Sequence, residues 1–242
     1  MEFIDTLKII FNFCNFKSQL SLVSTCTNYR NNLHIIDLLN IDEKYLQKLT
    51  QEILQFSIFE KVIYLNTYNN SKITNVSHMK SLQILHASYN CGINQKGIEG
   101  LNLIELYAMN NPKIINVSHM KSLQILNASG YCGINQQGIE GLNLIQFCAS
   151  SNSKITNVSH MESLQILYAY GDCGIDQQGI EGLNLIGLYA SNNSKITNVS
   201  HMKSLQILDA SGDCGINQQG IEGLNLIEFH GIYNLKIINI NK

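Results

Sequence analysis

The 242-residue chain contains one proline, Pro112, so it has no Pro-rich linker. Charged residues make up only 14% of it, and the formal net charge is −2. That balance leaves no electrostatic footprint for nucleic acid or an anionic lipid surface. No uninterrupted apolar run reaches the length of a membrane span. The opening Met1-Glu2-Phe3-Ile4-Asp5 carries acids where a secretory leader carries bases, so the expectation is a cytoplasmic protein. No glycine-rich loop follows a strand and opens a helix in the manner of a phosphate-binding turn; Gly97-Ile98-Glu99-Gly100 belongs to a repeated turn. What the chain does have is 45% hydrophobic residues, enough for a continuous core.

That hydrophobic content is periodic. Ser71-Lys72-Ile73-Thr74-Asn75-Val76-Ser77-His78-Met79 returns, nearly unchanged, from Pro112, Ser153 and Ser194, a step of 41 residues each time. Each period splits into two related halves. One reads Leu82-x-x-Leu85-x-Ala87, followed by Cys91 and Ile93. The other reads Leu103-x-x-Leu106-x-Ala108-x-x-Asn111, followed by Ile114, Val117 and Met120. Nine half-units of alternating 20 and 21 residues start near Val62, Leu82, Leu103, Leu123, Leu144, Leu164, Leu185, Leu205 and Leu226. A fixed period of this size denotes stacked supersecondary units, none of which buries its apolar face alone. Alternation along a short strand turns Leu82, Leu85 and Ala87 inward and Gln83, His86 and Ser88 outward. The asparagine column (Asn70, Asn111, Asn152, Asn193, Asn234) ends each second strand, where an amide can satisfy the turning backbone. The stretch from Gly92 to Leu101 forms the return path, as a short helix or 3₁₀ turn.

Over residues 62–242 this pattern resembles the leucine-rich-repeat family, with Ala (once Gly231) in the third apolar slot. Cys214-Gly215-Ile216-Asn217-Gln218-Gln219-Gly220-Ile221 resembles the cysteine-containing subtype, with Asn-Gln-Gln where that subtype has Thr-Asp-x. The resemblance implies an α/β repeat solenoid, a horseshoe with a parallel concave sheet.

Residues 1–40 do not repeat. Phe3, Ile4, Leu7, Ile10, Phe11 and Cys14 have helical spacing, as do Leu22, Val23, Cys26, Tyr29 and Leu33. Leu7-x-x-Ile10-Phe11-x-x-Cys14, then Leu22-Val23 and Cys26-Thr27-Asn28-Tyr29-Arg30, resembles an F-box. Cys14, Thr27 and Tyr29 stand where that family has Leu, Lys and Trp, and Phe3-Ile4 replaces its Leu-Pro opening. The resemblance implies that Leu7, Ile10, Phe11, Leu22 and Tyr29 serve a Skp1-type adaptor of a cullin ubiquitin ligase. The alternative is that these helices only cap the solenoid. Residues 41–61 read as a connecting or capping helix, with Asp42 as its cap and Tyr45, Leu46, Leu49, Ile53 and Leu54 on one face. The Asn- and Ile-rich, nearly identical repeats also look like repeat proteins of large DNA viruses of amoebae.

Nothing in the chain reads as catalytic, and no cofactor or metal is expected. His78, His119, His160 and His201 form a column, as do Cys91, Cys132, Cys173 and Cys214. Equivalent residues lie two strands apart, roughly 10 Å. That is too far to share one metal ion at bond lengths of about 2 Å, or to form a disulfide. The seven cysteines therefore read as free thiols.

Variation among the copies points to a binding surface. Six of the 41 columns carry three or more residue types, those of His86, Asn90, Glu105, Tyr107, Met109 and Asn110. All lie along or just past the strands, while Gln83, Glu99 and Asn102 are identical in every copy. The expected site for a protein target is the concave face, carrying His86, Tyr107, Met109, Asn127, Cys148, Tyr168, Tyr170, Tyr189, Asp209 and His230. Its anchors are tyrosines, which concentrate binding energy at interfaces.

Overall fold

The computed structural model describes residues 15–25, 29, 32–39 and 43–238. Among the described residues, one two-residue strand and nine three-residue strands that recur at the repeat interval follow one another in a ten-stranded sheet in chain order. They are β1 (Asp37–Leu38), β2 (Tyr64–Asn66), β3 (Ile84–His86), β4 (Glu105–Tyr107) and β5 (Ile125–Asn127). β6 (Gln146–Cys148), β7 (Ile166–Tyr168), β8 (Gly187–Tyr189), β9 (Ile207–Asp209) and β10 (Glu228–His230) complete the set. The chain is thus a parallel-strand repeat solenoid with little helix, divided into two compact units, 1–106 and 107–242. No described helix is long and apolar enough to cross a membrane.

The strands are shorter than the 62–67, 82–87 and 103–108 that alternation suggests, and this moves one side chain. Leu82, Leu85 and Ala87 are buried as their spacing requires. Ser88, expected to face outward, is 5% exposed. Its strand ends at His86, so the two-residue alternation stops before it reaches Ser88.

In the second unit the repeat accounts for the packing turn by turn. Phe147, Leu167, Leu188 and Leu208 point from the strand centres into a core closed by Ile155, Val158, Met161 and their equivalents, all inaccessible to solvent. Short 3₁₀ turns at Gln137–Ile139, Gln178–Ile180 and Gln219–Ile221 carry the return path. Their glycines are demanded by close approach: a Cβ on Gly179 would run into the Thr156 carbonyl oxygen of the neighbouring turn.

Polar bonds reach back one turn at a time. The buried Asn193 Nδ2 donates to the carbonyls of Ala169 (2.8 Å) and Ile175 (3.1 Å), and its Oδ1 accepts from the Lys195 N–H (3.0 Å). Asn152 and Asn234 repeat this arrangement. Lys154, Lys195 and Lys236 each donate Nζ to the carbonyl of the cysteine 22 residues earlier, at 2.7, 2.9 and 2.9 Å. Gln136 and Gln177 bridge to the next turn, donating to a carbonyl (Asn157, Asn198) and accepting two backbone N–H bonds each.

The first unit extends this scheme upstream of the recognisable repeat. β1 pairs in parallel with β2, Asp37 opposite Tyr64 and Leu38 opposite Leu65, although it lies inside the non-repeating span 1–40. Asn70 Nδ2 donates to the carbonyls of Leu46 and Leu49, and Lys72 Nζ to that of Gln47. Gln51 Oε1 accepts from the N–H groups of Thr74 and Asn75. Residues 37–38 and 46–51 thus supply the partners that a solenoid turn supplies elsewhere. The single helix expected over 41–61 is instead α2 (Glu43–Leu46) followed by 3₁₀ turns at Ile53–Gln55 and Ser57–Phe59. The Gln47 and Leu49 carbonyls, which a continuous helix would use internally, accept from the next turn, and the Leu46 carbonyl does so while also accepting the Leu49 N–H. Before β1, helix α1 (Phe16–Thr25) buries Gln19 and Val23, and Phe16 meets Tyr45 edge-on with ring centroids 5.6 Å apart.

Candidate functional site

Lateral register across β5–β10 aligns the variable side chains of the second unit. Asn127 lies opposite Cys148, then Tyr168, Tyr189, Asp209 and His230, one per strand. Each flanks a buried strand-centre residue, so the row faces out from the sheet. Beside it runs a second row of Ile125, Gln146, Ile166, Gly187, Ile207 and Glu228, in which the isoleucines recur and the alternate positions vary.

The middle of this face is aromatic. Tyr168 and Tyr189 stack with centroids 4.4 Å apart and planes at 11°. Gly187 lies beside the stack, where a Cβ alone would make only ordinary contacts. A Cβ there would lie 3.7 Å from Tyr189 Cε2 and 3.8 Å from Ile166, so the Tyr189 ring leans over the place that Gln146 and Glu228 fill with side chains. Burial is the main reason the Tyr168 hydroxyl titrates above its ordinary range, with Tyr189 adding to it.

The C-terminal end of the face is acidic. Glu228 Oε1 and His230 Nε2 are 2.6 Å apart, and this bond raises the histidine pKa. Asp209 is the next strand's residue in the same row, and neither row of β5–β10 carries a lysine or arginine. In the first unit, burial lowers the pKa of His86, against the opposing charge of Glu105.

Not all expected site residues share the central row. Tyr107 does join it: it ends β4 and is half-buried, and the Ala108 N–H donates to the Asn127 carbonyl as that of Ala128 does to Cys148, whereas Met109 lies just past the strand. Tyr170 falls two residues beyond Tyr168, at a position where Ser129 and Ser150 are buried, yet its ring is 45% exposed. Leu7, Ile10 and Phe11 lie outside the described residues; Leu22 is half-buried on α1, and Tyr29 is half-buried too.

Geometry adds residues that the sequence list omits. Tyr131, 86% exposed, and Asp172 line an open recess of about 610 Å³ with Met109, Ser150, Ser151 and Tyr170. Both belong to the variable column of Asn90, so the signal was present, but that column lies further past the strand ends than Met109 and Tyr170 do.

His119, His160 and His201 are exposed on the return path. Among the described residues, no three His, Cys, Asp or Glu side chains gather closely enough to hold a metal ion. Cys91, Cys132, Cys173 and Cys214 are fully buried free thiols, while Cys148 is half-buried on the strand face. Burial pushes Cys132 and Cys173 up to about 11.

Compared with protein-family models, curated proteins and solved structures, the chain matches none.

Proposed function

We propose that the protein is a leucine-rich-repeat-type scaffold that holds a target protein against the outward face of its strands and carries out no chemistry itself. One observation carries this reading: two of the most variable columns among otherwise near-identical copies, those of His86 and Tyr107, align in register as one outward row centred on the Tyr168–Tyr189 stack, and the variable column of Glu105 lies in the row beside it. Free drift of exposed positions does not account for it, because exposed Gln83, Glu99 and Asn102 do not change among the copies. Stacked, half-buried tyrosines offer large contact area at little conformational cost.

The proposal extends to the N-terminal segment. Its F-box-like motif makes the protein a substrate-recognition subunit, with residues 1–40 docking on a Skp1-type adaptor. The parallel pairing of β1 with β2 favours a second reading, in which the segment before Val62 only caps the solenoid. Recovery of purified Skp1-type adaptor on the immobilised full chain separates the two. Retention that is lost on Ile10→Ala/Phe11→Ala supports the adaptor role, and no retention leaves the cap. For the target site, Tyr168→Ala/Tyr189→Ala is expected to abolish target capture, whereas Glu99→Ala/Glu140→Ala on the return path preserves it. The reverse result moves the site off the strands.

A further inference from the structure

We infer that the recess bounded by Met109, Tyr131, Tyr170 and Asp172 receives a lysine or arginine side chain of a basic segment lying along the strand face. The inference rests on the proposed role of that face in protein binding.

The recess collects exceptions to the repeat. Met109 occupies a column that is Ser150 and Ser191 in the next two copies. Tyr131 is the only aromatic residue in the column of Asn90, Asp172 and Asp213. Tyr170 stands where the other copies have Ser88, Ser129 and Ser211. These three residues come from different turns, yet they line one cavity of about 610 Å³. A stacking requirement does not select them, since the serine-bearing turns close equally well around buried Ser129 and Ser150.

The lining chemistry identifies the occupant. Two exposed tyrosines line it, and a tyrosine π face attracts an ammonium or guanidinium group. The exposed Asp172 carboxylate supplies a charge-assisted acceptor, and Ser150 and Ser151 add hydroxyls. No cationic residue lines the recess. The nearest lysine in sequence, Lys154, has its Nζ committed to the Cys132 carbonyl at 2.7 Å. One carboxylate is too few for a metal ion. The recess is open rather than enclosing, so it suits one side chain of a longer ligand better than a free small molecule. Beyond it lie the carboxylates of Asp209 and Asp213, which favour further positive charge on the same segment.

The test is selection of short random peptides displayed on phage against the full wild-type chain, with counter-selection on Tyr168→Ala/Tyr189→Ala. Recovered peptides are expected to be rich in Lys and Arg. Their affinity should fall about tenfold or more on Tyr131→Ala and on Asp172→Asn, and on acetylation of the peptide lysines. Both substituted residues are exposed, and unchanged thermal melting verifies that the variants fold. Peptides that need Tyr168 and Tyr189 but are not basic, or that ignore Tyr131 and Asp172, overturn this inference and leave the strand-face reading intact. If no peptide distinguishes the wild type from the counter-selection variant, the strand-face reading fails and the inference falls with it.

Discussion

Tyr168 and Tyr189 lie face to face on adjacent strands, in register, with ring planes 11° from parallel. Such a pair contributes about 1 kcal/mol beyond its buried area. A double-mutant cycle with Tyr168→Ala and Tyr189→Ala, read by urea denaturation, should therefore return a coupling of that order. Gly187→Glu, which installs the residue that the first and fourth copies carry, should displace the Tyr189 ring. Near-zero coupling in that background is the expected result; full coupling would show that Gly187 does not set the stack.

Asn193→Ala removes the shared donor of two carbonyls in the interior. Leaving both groups buried and unpaired should cost about 2–4 kcal/mol. Asn152→Ala should cost a similar amount, because its bonds repeat those of Asn193. A lowered midpoint with an unchanged slope in urea would establish the loss as one of native-state stability.

Much of this fold was legible in the sequence because a 41-residue period leaves few ways to stack. The inward leucines and the asparagine column follow from strand alternation and backbone accounting. The turn-like role of residues 37–38 and 46–51 was not legible. Leu46, Gln47 and Leu49 contribute carbonyls rather than side chains to the next turn, and a backbone contribution leaves no residue-type signature. Helical spacing in Tyr45, Leu46 and Leu49 therefore suggested one helix where the chain makes three short pieces. The outward row was legible as variable columns. The Tyr131–Asp172 recess was not, since it depends on how successive loops converge in space.

Ser151 sits at φ +54° in the position of Asn110 and Asn192. Those asparagines accept the N–H of Tyr131 (2.9 Å) and Asp213 (3.1 Å) on the following turn. Asparagine also tolerates the left-handed region better than serine does. Ser151→Asn should therefore stabilise the protein by about 1 kcal/mol, seen as a raised thermal midpoint. No change, or a lower midpoint, would show that the turn at Ser151 differs from its neighbours.

The thiols should separate by location. Cys148, on the strand face, should be alkylated in the native protein near neutral pH. Cys132 and Cys173 should react only on unfolding, because they are buried and remain protonated up to about 11. Mass mapping after a short iodoacetamide pulse reads this directly. The same shifts set a sign for stability. Below the ordinary thiol range both states hold the proton, and stability is unaffected. Above it the unfolded chain loses the proton first, so stability falls as pH rises toward about 11. Cys132→Ala/Cys173→Ala should flatten that part of the pH profile.

Because Lys154, Lys195 and Lys236 reach back the same 22 residues, these bonds are indifferent to which of the copies precedes which. Excising 153–193 would join Asn152 to Ser194 and bring Lys195 to the Cys132 carbonyl that Lys154 now uses. In genetic terms, unequal recombination between copies yields a shorter chain in which every inherited bond still finds a partner. That event would delete Tyr168, Tyr170, Asp172, Gly187 and Tyr189 together. Recognition can thus be lost, or duplicated, in a single heritable step while the capacity to fold passes on intact.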